Sequence, residues 1–259
     1  MKNKKLIYKD NRLIQEAAFN LSLSEHRIIL LCLAKCNSWE KIPDNHEFII
    51  SVDDIHNELG ISKSSAYQDL TVAVNKLWDN YIQFDPNDPE TKMRWLSAKV
   101  HRSAKSEISL YLTSEILPFI SELKNRFTRY DLKNVAKFKS AYSFRFYELM
   151  MSWQGKDQIT VTVDWIREVF DLGDKYPAIA DLKKNVLLPA LNDINNTSNL
   201  NVTYKQLKKG NVITHFIFKY SVKDFENDTP KKITKPFILK HAKPGETWEQ
   251  AKFRLSKAG

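Results

Sequence analysis

Two stretches of this sequence repeat one pattern, and the repetition constrains the fold more than any single motif. Ser51-Val-Asp-Asp-Ile-His-Asn-Glu-Leu-Gly-Ile61 resembles Thr162-Val-Asp-Trp-Ile-Arg-Glu-Val-Phe-Asp-Leu172. Ser51 and Thr162 are good N-caps, because a hydroxyl oxygen can accept from an otherwise orphaned amide of the first turn. Asp53 and Asp164 fall in that turn, where the helix dipole favours negative charge. Ile55 with Leu59, and Ile166 with Phe170, give each short helix an i,i+4 apolar pair. Turns follow at Gly60 and at Leu172-Gly173-Asp174.

Each short helix leads into a longer one. In the first copy Ser62 can cap, and Tyr67, Leu70, Val74 and Leu77 recur at helical spacing. In the second, Ile179, Leu182, Val186 and Ala190 do the same, and Pro189 is expected to bend the helix or weaken a turn. Strands come next. Ile108, Leu110 and Leu112 alternate with Ser109, Tyr111 and Thr113. Thr214, Phe216, Phe218 and Tyr220 alternate with their neighbours in the second copy, joined to Val202–Gln206 through a Lys208-Lys209-Gly210-Asn211 turn. Short helix, turn, longer helix and β-hairpin is the order of a winged helix, here twice. The expected fold class is α+β: two tandem winged-helix (helix-turn-helix) domains, residues 1–128 and 129–222, with a basic C-terminal tail over 223–259.

Composition narrows the function. The 259 residues carry 40 Lys+Arg against 31 Asp+Glu, a net charge of +9, and 42% are hydrophobic. That excludes a collagenous, disordered or disulfide-built chain, and it suits a polyanionic partner without requiring one. The basic start lacks an apolar run and cleavage site, and no apolar segment reaches membrane-span length, so a cytoplasmic location with no membrane partner is expected. Cys32 and Cys36, four apart in one apolar helical pattern, read as core. The six glycines are dispersed, which leaves no phosphate-cradling loop, and the histidines form no H-x-H or H-x-x-x-H pair. No catalytic residue, metal or cofactor is therefore expected, and the chain reads as a non-enzyme; a DNA-nicking enzyme is the disfavoured alternative.

The longer helices are the candidate readers of a DNA major groove. In the first copy the candidate contacts are Lys63, Ser64, Ser65 and Gln68, supported by Arg94, Lys99 and Arg102. In the second they are Lys175, Tyr176, Lys183 and Lys184, with Lys208 and Lys209 gripping phosphate from the wing. The plainer alternative is two helical hairpins with solvated lysine faces. The acidic Asp85–Glu90 loop is expected to point away from DNA, because phosphate repels it.

From about Ser24 to Tyr220 the sequence resembles the replication initiator (Rep) proteins of iteron-containing bacterial plasmids. The resemblance rests on Phe127-Thr-Arg-Tyr130, Leu132 and Ser140-Ala-Tyr-Ser-Phe-Arg-Phe-Tyr-Glu-Leu149, and on Thr162–Leu172. Pro189-Ala190 with Asp193-Ile-Asn195, the strand pair through Lys208-Lys209-Gly210, and Leu23-Ser-Glu-His-Arg27 extend it. The central block reads physically as an amphipathic helix, with Phe138, Tyr142, Phe146 and Leu149 on one face and Arg145 paired with Glu148 on its flank. Its value is as a family marker rather than a site. The resemblance implies a second domain that is the main reader of origin repeats and a first domain that adds contacts and dimerises. It implies monomers on direct repeats (iterons), a monomer–homodimer equilibrium, and dimers on an inverted-repeat operator that repress the protein's own gene. It also implies that a host initiator and helicase complete origin opening. Many relatives carry arginine where Lys183 and Lys184 stand, and lysine lacks the rigid fork that pairs with guanine. A transcription regulator without origin function is the alternative within DNA binding. In the tail, Thr247-Trp-Glu-Gln250 resembles a capping box.

Overall fold

Both short helices start at their expected hydroxyl caps. The computed structural model describes residues 5–223 except 65, 86, 87, 89, 90 and 154. Ser65, most of the Asp85–Glu90 loop and Thr247–Gln250 in the tail lie outside the described residues. Helix α3 (Val52–Leu59) is capped by Ser51, whose Oγ accepts from the Asp54 amide at 3.1 Å while the Asp54 carboxylate accepts from the Ser51 amide at 2.8 Å. Gly60 ends it at φ 68, a left-handed conformation that glycine adopts at no steric cost. Helix α6 (Val163–Val169) is capped by Thr162, whose Oγ1 accepts from the Trp165 amide at 2.9 Å.

The strands extend the repetition beyond what the residue pattern carried. Strand β2 (Phe48–Ser51) runs directly into α3, and helix α4 (Ala66–Asp79) is followed by the hairpin β5 (Leu96–Arg102) and β6 (Glu107–Leu112). The sheet order is β2-β6-β5, antiparallel, with Ile50 opposite Ile108. In the second module β8 (Gln158–Thr162) runs into α6, and the hairpin is β9 (Leu200–Lys209) and β10 (Val212–Val222), in the order β8-β10-β9. The two sheets share one topology, in which the strand before the cap pairs with the last strand of the wing. Phe216, Phe218 and Tyr220 alternate inward as expected. The first module inserts a small hairpin, β3 (Tyr81–Gln83) with β4 (Lys92–Arg94), between reading helix and wing.

Around this repeat lie α1 (Asn11–Gln15), α2 (Leu23–Leu33) and an antiparallel ribbon of β1 (Leu6–Asp10) with β7 (Phe127–Asp131). Helix α2 ends at Leu33, so Cys36 lies in the following turn rather than on the same helix as Cys32. Cys36 is half-buried, its Sγ is 3.3 Å from the Cys32 carbonyl oxygen, and both cysteines are free. Both modules belong to one compact unit that runs to Ser221. Among the described residues no helix is long and apolar enough to cross a membrane.

The central helix α5 (Ala141–Ser152) departs from the amphipathic expectation, since Ser143 through Met151 are all buried. A helix wrapped on every side has no solvated flank, so Arg145 and Glu148 take other partners than each other. Glu148, 1% exposed, accepts from Lys9 Nζ at 2.6 Å and from the Tyr130 hydroxyl. Lys9 is itself only 2% exposed. Arg145 donates to the carbonyls of Ala17 (2.8 Å) and Val169 (3.1 Å), with Leu13 more distant at 3.5 Å. The start of α5 is held from the second module: Asp193 accepts from the amides of Lys139 (2.7 Å) and Ser140 (2.8 Å) and from the Ser143 hydroxyl (2.7 Å). The blocks that carry the family resemblance therefore meet one another in the interior.

Breaking a buried ion pair from one side leaves an uncompensated charge, at a cost of roughly 3–5 kcal/mol. Lys9→Met is accordingly expected to lower the free energy of unfolding by about that amount in denaturant titrations. Lys9→Met with Glu148→Gln should recover part of the loss, because no bare carboxylate remains. His26 offers a pH test. It is buried and stacked on Phe144 at 4.9 Å, and burial, with smaller contributions from Lys9 and Arg145, holds its pKa well below 6.5. The unfolded chain then binds the proton first, so stability is lost as pH falls below about 6.5, by at most about 1.4 kcal/mol per pH unit. Unfolding measured at pH 7, 6 and 5 should show a shallower slope for His26→Phe.

Candidate nucleic-acid interface

The second reading helix is not a regular one. Helix α7 (Ile179–Leu182) passes into a π-turn, Lys183–Leu187, and then into α8 (Leu188–Thr197). Pro189 has no N–H to offer the Asn185 carbonyl, which is its regular helical acceptor. The Leu188 amide bonds to the Lys183 carbonyl, five residues back. The weakened turn expected at Pro189 thus takes the form of one wide turn, a feature that recurs at functional sites. The wide turn lets Val186 and Leu187 both face the core, while Lys184 and Asn185 are both exposed.

The approach to this helix is held by Arg167 of α6. Its guanidinium donates to the carbonyls of Lys175 (3.1 Å), Tyr176 (2.6 Å) and Pro177 (3.0 Å). Tyr176 adopts a left-handed φ of 56, which is strained for a side chain of that size and is offset by the clamp. Lys175 is exposed, whereas Tyr176 is half-buried against the core. Burial and the neighbouring Tyr176 raise the pKa of Tyr142 to about 12.

The helix and its wing are joined by Lys183, whose Nζ donates to Gln206 Oε1 of β9 at 3.3 Å. Lys184, Lys208 and Lys209 are exposed and make no ion pair among the described residues. Gly210, at φ 61, turns the wing just beyond the two lysines. Leu207 and Val212 are also exposed at this tip.

The first module holds its cations differently. Lys63 pairs with Asp53 at 2.5 Å, Arg94 donates to the Trp78 carbonyl at 2.7 Å, and Arg102 donates to Glu47 at 2.5 Å. Lys99 bonds to Asn75 at 2.5 Å and lies over the Trp78 ring at 5.4 Å. Exposed pairs of this kind contribute little stability and are easily exchanged, but each must be given up before the cation can meet a phosphate. Ser64 is exposed, its amide 3.5 Å from Ser62 Oγ, and Gln68 projects to solvent from the first turn of α4. Helix α4 starts at Ala66, so Ser62 lies outside its first turn and does not cap it directly.

Exposed residues of the second helix that were not among the expected contacts include Asp181, Asn185 and Leu188. Asn185 donates to the Asp181 carbonyl at 2.9 Å. Asn185 lies within the π-turn and Leu188 closes it, and the residue pattern signalled that turn only through Pro189. Among the described residues no cluster of three or more His, Cys, Asp or Glu is placed to hold a metal ion. A cavity of about 510 Å³ lies along β8 between Trp153, Lys156 and Trp165, with no histidine or cysteine among the described residues that line it.

Comparison with known proteins agrees with this architecture. Residues 6–151 match the family model described as initiator replication protein, WH1, and residues 162–220 match that of initiator Rep protein, WH2. A replication initiation protein of Escherichia coli is 27% identical over 225 residues, covering 83% of this chain and 69% of that protein. A 27.6 kDa protein of Escherichia coli is 25% identical over 230 residues, covering 84% of this chain and 96% of its own. The fold is similar to that of the Pi initiator protein, solved in complex with iteron DNA, with a TM-score of 0.73 and 23% identity over 86% of this chain and 100% of that one. With both domain models matched in order, the first enclosing the β2-β6-β5 sheet and the second running from the cap of α6 through most of β10, the chain belongs to the replication initiator (Rep) family built from two winged-helix domains.

Proposed function

We propose that this protein is a plasmid replication initiator that binds double-stranded DNA at direct repeats of an origin, one monomer to each repeat. The observation that carries the reading is the presence of two reading helices, each with its own wing, in a single compact unit. Two non-identical readers suit a non-palindromic site spanning successive major grooves, about 34 Å apart. The relative solved with iteron DNA supports the same class of partner. In this reading residues 129–222 form the main reader, residues 1–128 add contacts and dimerise, and the 223–259 tail supplies further positive charge. A dimer has two-fold symmetry and suits an inverted-repeat operator, through which the protein represses its own gene. The chain acts by binding rather than by catalysis, in the cytoplasm, and leaves helicase loading and strand opening to host proteins.

Lys184, Lys208 and Lys209 are the phosphate contacts of the second module, joined by Lys175 and Lys183. Lys63, Ser64, Ser65, Gln68, Arg94 and Arg102 serve the first. Tyr176 acts by shaping the turn that presents Lys175. Footprinting of the DNA flanking the gene tests the whole reading: protection of a tandem array is the expected result, and protection of a single palindrome alone would refute it. Salt titration tests the division of labour. Each lost phosphate contact lowers the log–log salt slope by about 0.9. Lys184→Ala, Lys208→Ala and Lys209→Ala together should therefore reduce it by about 2.7. Lys63→Ala, Arg94→Ala and Arg102→Ala together should reduce it by less, because those cations already have partners within the protein.

A further inference from the structure

Leu188 is an apolar side chain on an otherwise polar stripe. It is 46% exposed, and it stands on the stripe formed by Asp181, Lys184, Asn185 and Asn192, at helical spacing along the second reading helix. Its neighbours Leu182, Val186, Leu187, Ala190 and Leu191 are all buried, so the core had room for apolar side chains on the opposite face. Pro189 follows it and the π-turn precedes it, and its own amide closes that turn on Lys183. The position of Leu188 is therefore fixed by the backbone.

Lys183 is tethered to the wing through Gln206, and Lys184, Lys208 and Lys209 are exposed without ion pairs among the described residues. Lys184 and the wing lysines outnumber the single exposed Asp181 on this stripe, so the face suits a polyanion, and a polyanion that can also offer an apolar group to a helix is duplex DNA presenting its major groove. Of the four bases, only thymine displays an apolar group there, its C5 methyl. Lysines at phosphate carry no sequence information, whereas a leucine against a methyl does.

We infer that Leu188 reads the C5 methyl of a thymine and is a specificity-determining residue of the second module. The inference rests on the double-stranded DNA reading above and names a base contact within it. The test uses the full-length protein and duplexes selected from a random library, in which each thymine in turn is replaced by deoxyuridine, removing only the methyl. Burial of one methyl is worth about a 4-fold change in affinity. One position should thus lose about 4-fold with the native protein and nothing further with Leu188→Ala. Leu188→Ala should keep the native unfolding midpoint and salt slope. Two results would overturn the inference while leaving the DNA reading intact: deoxyuridine tolerated at every position, or a loss at one position that persists undiminished in Leu188→Ala. A Leu188→Ala protein with an unchanged base profile but an altered oligomeric state would assign the residue to a contact between protein copies instead. Failure of the native protein to select any duplex would remove the DNA reading itself.

Discussion

Arg145 is the group on which the packing of the two modules together depends. Its guanidinium is buried and makes no salt bridge among the described residues; burial, partly offset by the Glu148 carboxylate, lowers its pKa to about 10, so it still carries its charge at neutral pH. The charge is tolerated because carbonyl oxygens surround it. Ala17 O belongs to the first module, and Val169 O is the last carbonyl of α6 in the second, where the helix dipole is negative. Phe19 lies 3.7 Å below the guanidinium carbon and the Phe170 ring is 5.7 Å away. The Phe19 amide shares the Val169 carbonyl, at 3.3 Å. Pulling the modules apart would strand a positive charge, so the same residue that joins them also specifies where they join.

The rest of α5 follows the same logic. Glu148 is held by Lys9 and Tyr130, which anchors the β1–β7 ribbon to the helix from the first-module side. Asp193 holds the N-terminal end from α8, doing from a distance what a local cap does elsewhere, since Ser140 makes no side-chain cap bond. Asn195, two residues on, binds both the amide and the carbonyl of Val202 and so ties the reading helix to the wing. The orientation of the second reading helix is therefore linked through Asp193 to a helix that Arg145 and Glu148 tie to the first module. Arg145, Glu148 and Asp193, all within blocks that mark the family, hold the two winged-helix modules in one frame.

Against this shared frame the two modules differ in charge economy. The first engages its candidate cations internally, Lys63 with Asp53, Arg102 with Glu47, Lys99 with Asn75 and Arg94 with the Trp78 carbonyl. The second leaves Lys184, Lys208 and Lys209 exposed. A polyanion thus meets ready charge at one end of the unit and charge that must first be exchanged at the other. Duplicated topology does not impose duplicated electrostatics, because surface charge is set by a few side chains while topology is set by the core.

Local chemistry was legible in the residues alone. Ser51 and Thr162 as caps, the wing alternation at Phe216, Phe218 and Tyr220, the turn at Gly60 and the disturbance at Pro189 all depend on neighbours within a few positions, and each is found where the pattern puts it. The α5 charges are not legible in this way, for the opposite reason. Nothing local distinguishes an Arg–Glu spacing of three on a solvated flank from the same spacing inside a core, and only the arrival of Lys9, Tyr130, Ala17 and Val169 decides it. The same holds for the candidate interface. The cations were visible by type, but which of them keep their charge available depends on Asp53, Glu47 and Gln206, brought near Lys63, Arg102 and Lys183 by folding. Sequence by itself determined the two modules and their order, because caps, turns and periodicity are short-range. Tertiary structure alone decided which charges are spent inside the protein and which face outward, because those pairings join residues that only the completed fold brings together.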